Sequence, residues 1–179
     1  MDINWTEWYS IKDKQAINSI PEKPGVYQIQ TDIEFNRLNG SSDIVYIGRA
    51  RPSLKERLAR TKLNDFTQLD RSNKWLLANN KALKFRYAVL ESNEEAEYTE
   101  AILLWDYENT HWELPPGNDQ LAKTPIMRKL NEVIPGFNRN TLKELIRKYK
   151  TSTAIADAFD IPKVIIDNYL VYECLTLGS

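Results

Sequence analysis

A glutamate interrupts an apolar helix stripe in the middle of the chain. A helix is predicted from Glu94 to about Asn109, and Glu100 shares one face of it with four apolar residues: Ala96, Leu103, Leu104 and Tyr107. A carboxylate on a packing face is costly unless it is paired or bound to a cation. Two interpretations of Glu100 are therefore open. It is either partly exposed or paired with a neighbouring arginine, or it is a ligand for Mg²⁺, which usually takes one or two protein carboxylates. Glu97, one turn earlier, is a second candidate ligand, although a solvent-exposed position is favoured for it.

Two tyrosines lie near the ends of predicted strands. Tyr27 closes the segment GVY, and Tyr46 opens the segment YIG. Tyrosine is common in strands, so each is weak alone. A phenol near a metal or a guanidinium can nevertheless accept a proton or orient a water molecule. Gly48, which closes the second segment, would let the backbone turn and a phosphate approach closely.

Basic residues follow the second of these segments. The stretch from Arg49 to Lys62 contains six basic residues and one acidic residue. Arginine offers a planar fork of donors that matches phosphate, although each of these residues could equally be an ordinary surface arginine. Arg57 borders the buried face of the helix that follows. Arg51 and Lys55 belong to the same basic run and are further candidates for contacts with phosphate groups.

The elements that must position these residues predict an α+β domain. An N-terminal helix is expected over residues 1–20, with Trp5, Trp8 and Ile11 as docking residues. The segment Ile44–Ile47 is apolar on both faces, which predicts a central strand. Further strands are expected at Gly25–Gln30 and Leu83–Val89. Asn39-Gly40 is a turn signal between the strand at Gly25–Gln30 and the strand at Ile44–Ile47.

Helices fill most of the remaining sequence. A capping-box pattern, Ser53 with Glu56, predicts a helix from Ser53 to about Lys62, and a second helix is expected over Asp65–Lys81. The segment from Leu114 to Asn118, LPPGN, ends the Glu100 helix, and the rest is helical. The predicted organisation is an N-terminal extension over 1–23, a core over 24–120 and a helical extension over 121–179.

Composition excludes several classes of protein. The formal net charge is −1, so charge alone does not indicate a nucleic-acid-binding protein. The single cysteine, Cys174, leaves no partner for a disulfide, and His111 is the only histidine. The chain has no run of about 18 apolar residues, so no membrane span is expected. Because the N-terminus does not resemble a signal peptide, an intracellular location is the expectation.

The segment 153–170 resembles a helix-turn-helix. Its apolar residues recur at the spacing that packs two short helices across a tight turn, and Asp160 stands where a glycine is usual. The second helix would expose Lys163 and Asn168, and an asparagine can read adenine in the major groove. The basic run Arg139–Lys150 could hold phosphates. A purely structural helix pair packed on the core is the alternative.

Taken together, the motifs resemble the GIY-YIG nuclease family. The family's name motif matches as Gly25-Val26-Tyr27 and Tyr46-Ile47-Gly48, with Val26 in place of the first isoleucine. The family then carries a basic residue, a helix arginine, a glutamate and an asparagine in this order. The matching residues, within about 24–120, are Arg49, Arg57, Glu100 and Asn118. Asn138 is a rival for the asparagine, and the linker between the two tyrosine motifs is long.

This resemblance implies a small three-stranded antiparallel sheet flanked by helices. It implies Mg²⁺-dependent hydrolysis of double-stranded DNA by an endonuclease, with Glu100 holding one Mg²⁺ (or Mn²⁺ as a substitute). Arg51 and Lys55 would then contact the DNA. Arg57, together with Arg49, would neutralise the scissile phosphate, Tyr27 or Tyr46 would activate the water, and Asn118 would support the site. A restriction enzyme of type II is expected first, and a homing or repair nuclease or a silent DNA-binding module are alternatives. One active centre per chain makes a homodimer on DNA, or sequential nicking, the expectation.

Overall fold

The computed structural model describes residues 3–58, 82–118 and 123–172, which fall in two compact units, Asp2–Leu121 and Ala122–Ser179. The helix predicted over 65–81, and the predicted helix from Ser53 beyond residue 58, lie outside the described residues. Within the described ranges, no helix is long and apolar enough to cross a membrane.

The first unit is an antiparallel sheet flanked by helices, so the α+β expectation is confirmed. The sheet has four strands in the order β1-β4-β2-β3, not the three that were expected. They are β1 (Tyr9–Ser10), β2 (Gly25–Asn36), β3 (Ser41–Ala50) and β4 (Leu83–Val89). The helices of this unit include α1 (Lys14–Ser19) and α2 (Asn93–His111), and residues 54–58 form one helical turn.

The prediction of a helix over residues 1–20 was wrong for most of its length. The chain runs extended beside β4, where the Thr6 amide donates to the Tyr87 carbonyl at 2.9 Å. The free edge of β4 offers a row of backbone hydrogen bonds, and these outweigh local helix propensity. The tryptophans dock as expected, with Trp5 and Trp8 on Arg86 at 4.6 and 4.5 Å from its guanidinium carbon to the ring centroids.

The prediction that Ile44–Ile47 is a central strand was also wrong, since β3 lies at the sheet edge and β2 is central. The strand is apolar on both faces because both are covered. Val45 packs into the cluster around Phe85, and Ile47 packs against α2. Its outer edge is covered too, because the Gly117 amide donates to the Val45 carbonyl at 2.8 Å. Burial of an edge strand on three sides gives the same pattern as a central strand.

The long linker between the tyrosine motifs forms the tip of an extended β2–β3 hairpin. Gly40 has φ +72°, the left-handed conformation that this turn requires. The tip docks on the C-terminus of α2, where the Asn39 side-chain amide donates to the Thr110 carbonyl at 2.7 Å. Arg37 donates to the Leu114 carbonyl at 2.9 Å. The hairpin therefore supplies donors to carbonyls at and just beyond the helix end, which lack partners inside the helix.

The second unit is helical. Its helices are α3 (Lys123–Val133), α4 (Arg139–Tyr149), α5 (Ser152–Phe159) and α6 (Lys163–Tyr172). Asp160 ends α5 with a left-handed backbone, φ 50° and ψ 49°, so it fills the glycine-like position at the turn. Buried residues of α4, α5 and α6 include Leu142, Ile155 and Ile166.

Candidate functional site

A cleft of about 360 Å³ lies at the C-terminal end of β3. Five side chains line it, and four of them were predicted as catalytic residues from the sequence, the fifth as a DNA contact: Tyr46, Arg49, Arg57, Glu100 and Arg51. They come from β3, the loop after it, the helical turn 54–58 and α2. Residues that are up to 54 positions apart in sequence are thus brought to one place.

The edge position of β3 explains how the cleft draws on both faces of the sheet. Tyr46 and Arg49 are three residues apart on one strand, so their side chains point to opposite faces. Arg49 is paired in register with Val26 and faces α2, whereas Tyr46 packs with Tyr27 on the other side. At an edge strand, side chains from the two faces can converge on the same cleft.

The two tyrosines differ in access. Tyr27 is fully buried and does not line the cleft, while Tyr46 does. Their rings stack with centroids 5.8 Å apart. Burial raises the pKa of Tyr27 well above its usual value, and burial also raises the pKa of Tyr46, with Tyr27 and Arg57 opposing that rise. Within the described part of the chain, the Tyr27 hydroxyl has no hydrogen bond of good geometry, although Tyr46 is near enough to influence its pKa.

Gly48 has a different role from the one predicted. It stays within β3, paired with Tyr27, and the strand continues to Ala50 without a turn. A Cβ atom here would lie 2.5 Å from a ring carbon of Tyr46 and 2.8 Å from the Tyr27 hydroxyl. The space that glycine leaves is therefore filled by the two phenols and not by an approaching phosphate.

An ion-pair network crosses the cleft. Arg49 Nη1 donates to Glu100 Oε2, and Arg49 Nη2 lies 3.7 Å from Glu97 Oε1. Arg51 pairs with the other oxygen of Glu97. The Glu100 side chain is only 11% exposed. Burial raises its pKa, and Arg49 partly opposes that rise. The salt-bridge interpretation of Glu100 is thus realised.

Glu97 takes a larger part in the cleft than its sequence position predicts. It bridges two arginines of the cleft, and its side chain is only 19% exposed, whereas the sequence predicts an exposed side chain. The signal was its position three residues before Glu100, which puts both carboxylates on one helix face. Pattern alone could not reveal that two arginines would approach that face.

Arg57 stands apart from this network. The helical turn that carries it is capped by Ser53, whose hydroxyl accepts from the Glu56 amide at 3.1 Å. Among the described residues, no carboxylate lies within salt-bridge distance of the Arg57 guanidinium. It is exposed and interacts with the Tyr46 phenol. Among the described residues, Arg57 is thus the cleft arginine that no carboxylate neutralises.

The donor set fits a hard divalent cation. Glu100 is a nearly buried carboxylate at the cleft, Glu97 is one turn away, and carboxylate oxygens are the ligands that Mg²⁺ prefers. In the described ranges, no group of three or more acidic, histidine or cysteine residues is arranged so that it could hold a metal ion. One or two carboxylates match a Mg²⁺ ion that keeps several waters and takes substrate oxygens.

Asn118 and Asn138 have separate structural roles. The Asn118 amide forms a pair of hydrogen bonds with Ile47, accepting from its N–H at 3.0 Å and donating to its carbonyl at 2.8 Å. It thus acts as an added strand residue beside β3, next to Tyr46 and Gly48. Asn138 lies in the second unit and caps α4, accepting from the amides of Asn140 and Thr141. Neither lines the described cleft.

Asn118→Ala should lower the free energy of unfolding by about 2 kcal/mol, because two hydrogen bonds at about 1 kcal/mol each are lost. The DNA-cleavage rate should fall too, because β3 carries Tyr46. Asn138→Ala is the matched control, since loss of a helix cap costs about 1 kcal/mol and leaves cleavage at saturating DNA nearly unchanged. Urea unfolding and cleavage assays measure both quantities. An equal loss of cleavage in the two variants would contradict this division of roles.

The residues predicted to contact DNA lie in both units, and three of them are paired with carboxylates. Arg51 is paired with Glu97, and Lys55 lies 3.8 Å from Glu22. Lys163 pairs with Asp167 along α6, and Asn168 lies in the same helix, its side chain being outside the described part of the chain.

No protein-family model, curated protein or solved structure matches this chain. The resemblance to the GIY-YIG nucleases therefore stays a prediction from the motifs.

Proposed function

We propose that this protein is a divalent-metal-dependent endonuclease of GIY-YIG type that hydrolyses phosphodiester bonds in double-stranded DNA. The observation that carries the proposal is the cleft at the end of β3. It unites a nearly buried carboxylate, a phenol and an arginine that has no carboxylate partner among the described residues: Glu100, Tyr46 and Arg57. Metal-dependent hydrolysis of a phosphodiester uses three functions that these side chains can supply, namely a cation site, a group that handles the proton of water, and a donor for phosphate oxygens.

Each side chain has one task in this proposal. Arg57 donates to the non-bridging oxygens of the scissile phosphate and stabilises the charge that builds there in the transition state. Tyr46 orients the attacking water and, when deprotonated, accepts its proton. Tyr27 is too deeply buried to touch the water, so it supports Tyr46 by stacking.

Glu100 would hold the cation, with Glu97 beside it. When bound, Mg²⁺ or Mn²⁺ supplies Lewis-acid stabilisation of the phosphate. For the chain itself, Glu100 must be ionised to bind the cation, and its raised pKa therefore limits binding at acid pH.

Among endonucleases of this type, we propose a type II restriction endonuclease, because the helical second unit could recognise a DNA sequence. That unit has a helix pair with a left-handed turn at Asp160, and α4 carries four basic residues: Arg139, Lys143, Arg147 and Lys148. In the proposal, α4 contacts phosphates and α6 reads bases. In the proposal, the cleft among the described residues is the one active centre of each chain, so two copies, or two successive nicks, are needed to cut duplex DNA.

Incubation of the purified protein with a panel of phage and plasmid DNAs and Mg²⁺ tests the proposal. Wild type should give discrete fragments, and Glu100→Ala and Arg57→Ala should give none. Circular dichroism of the two variants controls for folding. Tight DNA binding by wild type without cleavage of any substrate would indicate a binding module with a silent site, and cleavage that survives Glu100→Ala would remove the metal assignment.

A further inference from the structure

Arg49 occupies the carboxylate that the proposed function assigns to the cation. Its Nη1 group donates to Glu100, and its Nη2 group lies 3.7 Å from Glu97. The arginine side chain is 30% exposed and the Glu100 side chain 11%, so water screens this pair less than a surface pair. While both amino groups of this guanidinium face carboxylates, the fork that they form together cannot also bind a phosphate.

The charges around the cleft determine how this pairing affects the binding of a cation. Three arginines and two glutamates give a net charge of +1 when all are ionised (3 − 2 = 1): Arg49, Arg51, Arg57, Glu97 and Glu100. A divalent cation that enters such a cleft meets repulsion and must compete with Arg49 for Glu100. An anion that enters at the same time relieves both effects, because it offers Arg49 a new partner.

We propose, on the basis of the function above, that Arg49 exchanges its partner during binding, leaving Glu100 when the cation binds and moving to the phosphate. Cation and phosphate then bind cooperatively, and by linkage each raises the affinity for the other by the same factor. The cleft of the free protein holds the cation weakly, and it becomes a strong site only when a phosphodiester is present. Arg57 takes no part in the exchange, because no carboxylate of the described residues holds it.

Binding of Mn²⁺ to the full-length protein, followed by the electron paramagnetic resonance of the free ion, tests the exchange. Diethyl phosphate, an unreactive phosphodiester, serves as the anion. In wild type, saturating diethyl phosphate should tighten Mn²⁺ binding by about tenfold, a typical coupling between two sites. Without phosphate, Arg49→Gln should already bind Mn²⁺ about tenfold more tightly than wild type, and diethyl phosphate should add little.

Arg57→Gln is the matched control, because it removes the same charge from the same cleft. It should change Mn²⁺ affinity by less than about threefold in the absence of phosphate, since the charge is lost without freeing Glu100. Equal tightening in the two glutamine variants, or no tightening in Arg49→Gln, would overturn the exchange.

Glu100→Gln separates the failure of this inference from that of the proposed function. If Glu100→Gln abolishes Mn²⁺ binding while Arg49→Gln does not tighten it, the exchange is wrong and the metal assignment stands. If Glu100→Gln binds Mn²⁺ like wild type, both are wrong.

Arg49→Gln removes the salt-bridge partner of Glu100, which can destabilise the fold, so binding must also be measured in a way that does not depend on full stability. The rise in Tm that Mn²⁺ causes reports binding to the folded state even in a destabilised variant, and it should be larger for Arg49→Gln than for Arg57→Gln. Arg49→Lys keeps the charge but lacks the planar fork, so its Mn²⁺ affinity should lie between those of wild type and Arg49→Gln.

Discussion

Replacing Glu100 with glutamine should lower the rate of Mg²⁺-dependent DNA cleavage roughly a thousandfold, because the carboxylate that holds the cation and its Lewis-acid contribution are both lost. The substitution preserves the size of the side chain, and glutamine can still accept a hydrogen bond from Arg49. A loss of cleavage therefore reports chemistry and not a collapsed cleft. Initial rates on a plasmid substrate measure it, with thermal unfolding as the check on folding.

Glu97→Gln is the control for this prediction. Glu97 bridges Arg49 and Arg51 and is more exposed than Glu100, so its loss should lower cleavage by about tenfold or less, as expected for a partner that orients the site. Equal losses in Glu97→Gln and Glu100→Gln would mean that both carboxylates hold the cation.

The pH dependence of cleavage gives an independent check on Glu100. Because burial raises its pKa, the carboxyl stays protonated to a higher pH than an ordinary glutamate, whose pKa is about 4.3. At Mg²⁺ concentrations below saturation, the rate should fall as pH is lowered through this raised value, since only the ionised form binds the cation. An acid limb centred at or below the ordinary value would contradict this assignment.

Replacing Tyr46 with phenylalanine should lower cleavage by about a hundredfold to a thousandfold, the usual effect of losing a group that moves a proton in the transition state. Burial raises the pKa of Tyr46, so the phenol is neutral near pH 7 and its basic form increases with pH. The wild-type rate should therefore rise into the alkaline range, and Tyr46→Phe should lose this rise. Pre-steady-state cleavage between pH 7 and pH 10 would resolve it.

Tyr27→Phe is the matched control, because the two phenols stack on each other but only Tyr46 lines the cleft. Cleavage should stay within about tenfold of wild type, because the removed hydroxyl does not line the cleft and acts on the reaction only by lowering the pKa of Tyr46. The variant should be at least as stable as wild type, because a buried hydroxyl without a good hydrogen bond is removed. A loss of cleavage equal to that of Tyr46→Phe would show that the proton passes through the buried phenol.

Local pattern predicted much of the first unit correctly. The alternation in Leu83–Val89 gave β4 with its bounds, and the stripe around Glu100 gave α2 to within two residues at each end. Ser53 caps the helical turn as its sequence indicates. These features depend on short-range periodicity and on capping chemistry, which a single sequence contains.

The errors arose where distant parts of the chain meet. The edge of β4 draws Tyr9–Ser10 into the sheet, and the loop at Gly117–Asn118 buries the edge of β3. Neither partner can be read from the strand it covers. In the cleft, residue types pointed to a metal and a phosphate, but the pairing of Arg49 with Glu100 and the burial of Tyr27 depend on strand register and side-chain packing.

The β2–β3 hairpin docks on the C-terminal end of α2, far from the cleft. This contact therefore affects how α2 positions Glu100 relative to the other side chains of the cleft. Thr110, which accepts from Asn39, is ten residues from Glu100, or roughly 15 Å along the helix axis. A tilt of about 5° about that contact would displace the carboxylate by roughly 1 Å, and misplacement on this scale can cost about a hundredfold in rate. The length of the hairpin thus helps to set the distance between Glu100 and the other side chains of the cleft. In related sequences, a change in the number of residues in the hairpin should therefore be accompanied by a change at the C-terminal end of α2.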